Sequence, residues 1–284
     1  VVAIGAIFNS GNNTNNTITD PHFHFHPFGD LGDGFATGHV RVYRESNSAW
    51  TQVGADIDGE AAFDHSGVSV SLSGDGKVVA IGAEWNKGNT SKYAHDPHRM
   101  HRFFVGPGHV RIYRESGGAW TQVGADIDGE AEWDQSGCSV SLSNDGKVVA
   151  IGARDNRGKN TGYGSYGTGH VRVYRESGST WTQVGADIDG KAPREYAGSS
   201  VSLSSDGKVV AIGAPAGWWR SESNTGQVRI YHESDGAWTQ VNAAIDGEDA
   251  GDQFGYSVSL SSDGKSVLAG AVRNDDNGRW AGHV

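Results

Sequence analysis

The chain has 284 residues, a formal net charge of −11, 43 glycines, 6 prolines and one cysteine, Cys138. The excess of acid argues against nucleic acid and anionic membrane as partners. A lone cysteine excludes an internal disulfide framework and any zinc-finger arrangement of thiols, and no run approaches the roughly 18 apolar residues of a membrane span.

In chain order the first element is Val1-Val2-Ala3-Ile4-Gly5-Ala6, and it returns. VVAIGA begins again at Val78, Val148 and Val209, with SVLAGA at Ser266. GHVRVY or a close variant begins at Gly38, Gly108, Gly169 and Gly226, and Gly282-His283-Val284 starts another copy. WTQV follows at Trp50, Trp120, Trp181 and Trp238, and SVSLS at Ser69, Ser139, Ser200 and Ser257. Repetition at this period decides the architecture before any local propensity does. Because Val1 falls inside a motif, the sequence reads as part of a longer or processed chain, with any leader lying upstream.

Each segment has the chemistry of a strand. SVSLS, which we term strand A, alternates Val70 and Leu72 with serines at period two. VVAIGA, strand B, is nearly continuous in apolar residues, as in a strand covered on both faces. GHVRVY, strand C, alternates Val40 and Val42 with His39, Arg41 and Tyr43, and WTQV, strand D, opens on tryptophan. Between A and B, the Asp-Gly of Ser73-Gly74-Asp75-Gly76-Lys77 and its equivalents predicts a tight hairpin. Four antiparallel strands per unit, repeated, predict an all-β fold, a β-propeller of four-stranded blades. The Ser-rich strand A suits the inner position where blades converge, and the tryptophans suit the outer rim. Five blades are represented: 1–63, lacking its inner strand, 64–133, 134–194, 195–251, and an incomplete 252–284.

The pattern resembles the FG-GAP repeats of integrin α-subunit head propellers and their extracellular relatives. Phe254-Gly255 supplies the Phe-Gly, and Gly213-Ala214-Pro215 the Gly-Ala-Pro. Ser66-Gly67, Ser136-Gly137 and Ala197-Gly198 are looser copies. The resemblance implies about seven blades in a finished disc, completed by further sequence or by another chain. It also implies a ligand face where the B–C and D–A connections lie. Calcium in the A–B hairpin, known from integrin heads, is not expected here, because calcium needs six to eight oxygens and this short turn has one carboxylate.

All length variation falls in one connection. From each strand-C glycine to the next strand B the interval is constant (38 to 78, 108 to 148, 169 to 209, 226 to 266), whereas the B–C inserts at 7–37, 84–107, 154–168, 215–225 and 272–281 have 31, 24, 15, 11 and 10 residues. A constant frame carrying one variable loop is how a scaffold presents function. The first insert holds His22, His24 and His26 with Phe23 and Phe25. The second holds Trp85, His95, His98 and His101 with Phe103 and Phe104, and the fourth holds Trp218 and Trp219. Three readings stay open for the histidine inserts: mutual aromatic packing, a partner or filament contact, or a Zn²⁺ or Cu²⁺ site. The loop aromatics could equally contact protein, stack on sugar, or pack the loops.

Three N-glycosylation sequons, at Asn12, Asn15 and Asn89, fall in the same inserts and point to an extracellular chain. In the D–A connection Asp56-Ile57-Asp58-Gly59-Glu60 recurs as Asp126-Ile127-Asp128-Gly129-Glu130 and, altered, at 187–191 and 244–248. Asp56, Asp58, Asp126 and Asp128 could hold Ca²⁺, or Ile could fill the core while Asp caps turns. His39, His109 and His170 at the head of strand C read as blade hydrogen-bonding elements, and Cys138 as an unreactive thiol. No G-x-S-x-G, HExxH, P-loop or dinucleotide fingerprint is present. The expected function is therefore non-enzymatic: an extracellular adhesion, filament or matrix propeller binding protein or glycan, or self-assembling. A calcium-assisted lectin is the alternative.

Overall fold

The computed structural model describes residues 1–7, 37–87, 106–158, 167–216, 224–276, 278 and 281–284. Among these residues are 20 strands in five antiparallel sheets and no helix. The first sheet comprises β1 (Val2–Ala6), β2 (His39–Ser46), β3 (Ala49–Gln52) and β4 (Ile57–Asp58). The second holds β5 (Ser66–Leu72), β6 (Val78–Ala83), β7 (His109–Ser116), β8 (Ala119–Gln122) and β9 (Ile127–Asp128). The third repeats it with β10 (Ser136–Leu142), β11 (Val148–Ala153), β12 (His170–Ser177), β13 (Thr180–Gln183) and β14 (Ile188–Asp189). The fourth holds β15 (Ser200–Leu203), β16 (Val209–Ala214), β17 (Gln227–Ser234) and β18 (Ala237–Asp246), and the fifth holds β19 (Phe254–Leu260) and β20 (Val267–Ala271).

Within each sheet the strands pair in sequence order, with the same register in each copy: Ile81 opposite Arg111, Ile151 opposite Arg172, Ile212 opposite Arg229. These sheets are the blades of a β-propeller. One element differs from expectation. The start of the D–A connection is not loop but a two-residue strand, Ile57–Asp58 and its equivalents, added beside the head of strand C. Its isoleucine points inward, with Ile57, Ile127 and Ile188 all buried.

The core lies between blades, not within them. Val78, Ala80, Val110, Ile112 and Ile127 of the second blade pack against Val140, Leu142, Val149, Ile151 and Tyr174 of the third. Equivalent clusters join the first blade to the second and the third to the fourth. At the inner end, serine does the joining. Ser69, Ser139 and Ser200 donate to the carbonyls of Gly137, Gly198 and Gly255 on the next blade. Ser71, Ser141 and Ser202 accept from the amides of Leu142, Leu203 and Leu260. A small hydroxyl lets two inner strands approach while satisfying backbone groups that the approach would otherwise strand.

The two glycines of the repeat meet across the junction. Gly67, Gly137, Gly198 and Gly255 follow the first residue of the inner region with φ of 89°, 85°, 86° and 86°, in the left-handed region that favours glycine. Three of the four inner strands shift register at this bulge. Each bulge carbonyl presses on the strand-B glycine of the preceding blade: a Cβ on Gly5, Gly82, Gly152 or Gly213 would lie 2.0 Å from it. At the outer end, the indole Nε1 of Trp120, Trp181 and Trp238 donates to the carbonyls of Val53, Val123 and Val184 of the preceding blade.

The A–B hairpin closes on itself through its own hydrogen bonds. Ser73 Oγ donates to Asp75 Oδ1 at 2.7 Å, and that carboxylate also accepts from the Lys77 amide at 2.9 Å. These bonds hold Asp75 below the usual carboxylate range. The hairpins are also chained to one another, from the Gly74 amide to Asn144 O, from Asn144 to Ser205 O, and from Ser205 to Ser262 O.

Cys138 sits on an inner strand, with Sγ 3.4 Å from Gly152 O and 3.5 Å from Gly198 O. Burial pushes its thiol up to about 11, so the nucleophilic thiolate is scarce at neutral pH. The native protein at pH 8 is expected to resist a disulfide-exchange thiol reagent that titrates one equivalent after denaturation. Rapid stoichiometric labelling of the folded chain would contradict this placement.

Candidate functional site

The strand directions place the B–C and D–A connections on one face. The short strand β9 pairs with the head of β7, His109 opposite Asp128, and β14 pairs likewise with β12, His170 opposite Asp189. Most of each of the first four B–C inserts lies outside the described residues. That holds for Asn12, Asn15, His22, Phe23, His24, Phe25, His26, Asn89, His95, His98, His101, Phe103, Phe104, Trp218 and Trp219. Trp85, at the root of the second insert, is half-buried, with its ring stacked on His65 at 3.8 Å and 25°. Beside it Glu84 lies 3.7 Å from His65 Nδ1 and 3.4 Å from Arg154, whose Nε donates to Gln135 at 2.6 Å. This group departs from the repeat and ties Glu84 and Trp85, at the root of the second insert, to the turns that precede β5 and β10.

What the described face does assemble is a recurring triad across blade junctions. Glu60 of the first blade joins His109 and Asp126 of the second, and Glu130 of the second joins His170 and Asp187 of the third. His109 and His170 are each 1% exposed, at the buried start of strand C. Their Nδ1 atoms face carboxylate oxygens beyond hydrogen-bond reach. For His109 the distances are 3.7 Å to Asp126 Oδ2 and 3.9 Å to Glu60 Oε2; for His170 they are 4.0 Å to Asp187 Oδ2 and 3.9 Å to Glu130 Oε2. His109 Nδ1 is buried without a hydrogen-bond partner.

The second oxygen of each carboxylate is already tied. Gln122 Nε2 donates to Asp126 Oδ1 at 2.7 Å, and Gln183 to Asp187 Oδ1 at 2.7 Å. Glu60 Oε1 lies 3.6 Å from the Arg111 guanidinium, and Glu130 Oε1 3.9 Å from that of Arg172. The arginines are themselves anchored, donating to the carbonyls of Asp58 and Asp128 on the preceding blade at 2.7 Å and lying 5.6 Å over the rings of Tyr113 and Tyr174. The ring contact lies within one strand, and the hydrogen bond is what crosses the junction. Burial, and then the neighbouring arginine, lower both histidines to about 4, so each imidazole is neutral at pH 7.

The first copy is built differently. His39, Asp56 and Asp58 converge there, but Arg41 takes both oxygens of Asp56 at 2.9 and 2.8 Å and holds that carboxyl down to about 2. Asp128 is pushed up by burial and by the nearby Asp126 and Glu60 charges. The further repeated acids are turn caps: Asp64 accepts from the Ala61 amide and Asn86, and Asp134 from Ala131 and Asn156.

The fourth copy replaces the whole triad. Lys191 stands for the glutamate, Gln227 for the histidine and Ala244 for the aspartate. Lys191 Nζ donates to Gln240 at 2.7 Å, while Arg229 turns to Gln227 and pairs with the buried Glu195. The aspartates of this region stand out in the sequence, but the histidines read there only as hydrogen-bonding elements. The joint change at three separated positions is the signal that joins them into one unit.

A cavity of about 320 Å³ lies beside the second triad's junction, lined by Ala125, Asp126, Ile127, Asp128, Tyr174, Ser179, Thr180 and Trp181.

The FG-GAP repeat family profile matches residues 238–284, so that segment is similar to an FG-GAP repeat. No curated protein matches the chain. Among solved structures, a Bacteroides uniformis protein titled as a 6-phosphogluconolactonase superposes with a TM-score of 0.48 at 13% identity, over 83% of this chain and 52% of its own. A protein from Lactobacillus plantarum gives 0.49 at 11% identity, over 89% of this chain and 62% of its own. The chain thus spans about half to three fifths of the length of these structures.

Proposed function

We infer that this chain, a β-propeller with a segment similar to an FG-GAP repeat, is a non-enzymatic extracellular binding module that serves adhesion or a surface filament or matrix. Recognition runs through the face of the B–C inserts. The observation that carries this reading is the fixed frame of blades against inserts of 31, 24, 15, 11 and 10 residues on one face. The three sequons within those inserts, and the extracellular setting typical of FG-GAP repeats, support the location.

The test is a chain in which residues 8–36 and 88–105 are each replaced by a short Gly-Ser linker. Its melting transition should stay within a few degrees of the parent, since loop closure changes little with length. Its adhesion to wells coated with extracellular-matrix protein should fall at least tenfold. Undiminished adhesion by the shortened chain would refute the assignment of that face.

A glycan-binding reading is the second. The cavity lined by Asp126, Asp128, Tyr174 and Trp181 combines acceptors with aromatic surface, as sugar sites do. A glycan array probed with and without EDTA separates the two readings. EDTA-sensitive spots lost on Trp181→Phe would favour the lectin, and a blank array would leave protein adhesion standing.

A further inference from the structure

We propose that Glu60, His109 and Asp126, and again Glu130, His170 and Asp187, each bind a divalent transition-metal ion of the Zn²⁺ class across a blade junction. This assignment is independent of whatever the loop face recognises. It rests on the way the ligand-type atoms are aimed. In each triad one histidine nitrogen and one oxygen from each carboxylate converge within 4.8 Å of one another. They approach without bonding, at 3.7 to 4.0 Å from histidine to carboxylate. An ion about 2.1 Å from each ligand spaces neighbouring ligand atoms by roughly 3 to 4 Å, the separation seen between each histidine and its two carboxylates.

The surroundings are those of a positioned ligand set. Gln122 and Gln183 hold Oδ1 of each aspartate, and Arg111 and Arg172 lie against Oε1 of each glutamate. In both triads Oδ2 and Oε2 face the imidazole, and Glu60 Oε2 also accepts a long hydrogen bond from Asn86 Nδ2 at 3.5 Å. Outer partners of this kind orient metal ligands and are part of how such sites are built. The buried, unpartnered Nδ1 of His109 is a ligand without an acceptor or donor in the protein, a state that buried polar atoms rarely tolerate. Nitrogen in the set selects zinc-class ions over calcium, whose sites are all oxygen.

The fourth copy supplies an independent argument. Where Gln227 replaces histidine and Ala244 replaces aspartate, the glutamate becomes Lys191, whose ammonium donates to Gln240, the counterpart of the glutamines that hold the aspartates, so this junction gains a positive charge where it loses its ligands. The first copy is assigned no ion, because Arg41 occupies Asp56.

The experiment uses the full chain, stripped with EDTA, loaded with excess Zn²⁺, desalted, and assayed for zinc by elemental analysis. The inserts contain other histidines, so the difference between chains is what counts. His109→Gln and His170→Gln are each expected to lose one equivalent relative to the parent, and the double variant two. Glutamine already occupies this position in the fourth blade, and circular dichroism checks that the fold survives. Asp126→Ala with Asp187→Ala, which copies the alanine at Ala244, should repeat the loss of two. Zn²⁺ should also raise the melting temperature of the parent more than that of either double variant. Equal zinc content in parent and both double variants overturns the proposal. So does a loss that follows removal of His22, His24 and His26 instead.

Discussion

Gly152→Ala is expected to destabilise the chain by about 3 kcal/mol or more, at the upper end of what overpacking costs. The added Cβ would fall 2.0 Å from Gly198 O and 2.4 Å from Ser139 Oγ. The first of these is backbone of the next blade, held by the bulge, and cannot step aside. Gly270→Ala is the matched control. There the nearest atom is Ser257 Oγ at 2.6 Å, the end of a side chain that can rotate, and no neighbouring backbone lies within 4 Å. Its cost should stay below about 1 kcal/mol, since replacing glycine also removes freedom from the unfolded chain. Urea melts of the two variants check the contrast, and similar midpoints would mean that the glycine pair does not set the distance between blades.

The second large effect belongs to the outer tryptophans. Trp181→Ala should cost about 3–5 kcal/mol, the range for deleting a packed aromatic. It removes a ring packed on the core between the second and third blades together with the Nε1 bond to Val123 O at 2.9 Å. Trp50 carries the same motif but is 56% exposed, and Trp50→Ala should stay within about 0.5 kcal/mol, as for other surface changes. Trp181→Phe keeps most of the ring and loses the donor, so it should fall between them, with about 1 kcal/mol assigned to the hydrogen bond. Thermal or denaturant unfolding ranks the three. A Trp50 variant as damaging as the Trp181 variant would remove the explanation.

That pair also marks how far residues can be read without coordinates. Strand identity was legible, because the apolar run of VVAIGA and the alternation of GHVRVY are local features. Burial was only partly so. The six residues of VVAIGA are buried throughout in β6 and β11, yet Val2 and Ile4 of β1 are 37% and 53% exposed. The same letters differ because burial here comes from an adjacent sheet. Ile57–Asp58 was missed as a strand since two residues show no period. In the inserts, lengths were countable, but histidine and phenylalanine at alternate positions name no partner by themselves.

The triad was half visible. The aspartates stood out as acids beside glycine, whereas His109 and His170 were discounted because they recur. Regular recurrence argues against a unique catalytic group but not against an ion held at successive junctions. The joint change to Lys191, Gln227 and Ala244 in the fourth copy is the sequence feature that groups the three positions.

The glycine contact, the serine bridges and the tryptophan bond have one property in common: each joins the trailing side of one unit to the leading side of the next, and the junctions of the second blade with the third and of the third with the fourth carry all three. Such units are interchangeable. Doubling the third repeat would reproduce these glycine, serine and tryptophan contacts, so blade number can change by recombination without a new set of them having to be invented.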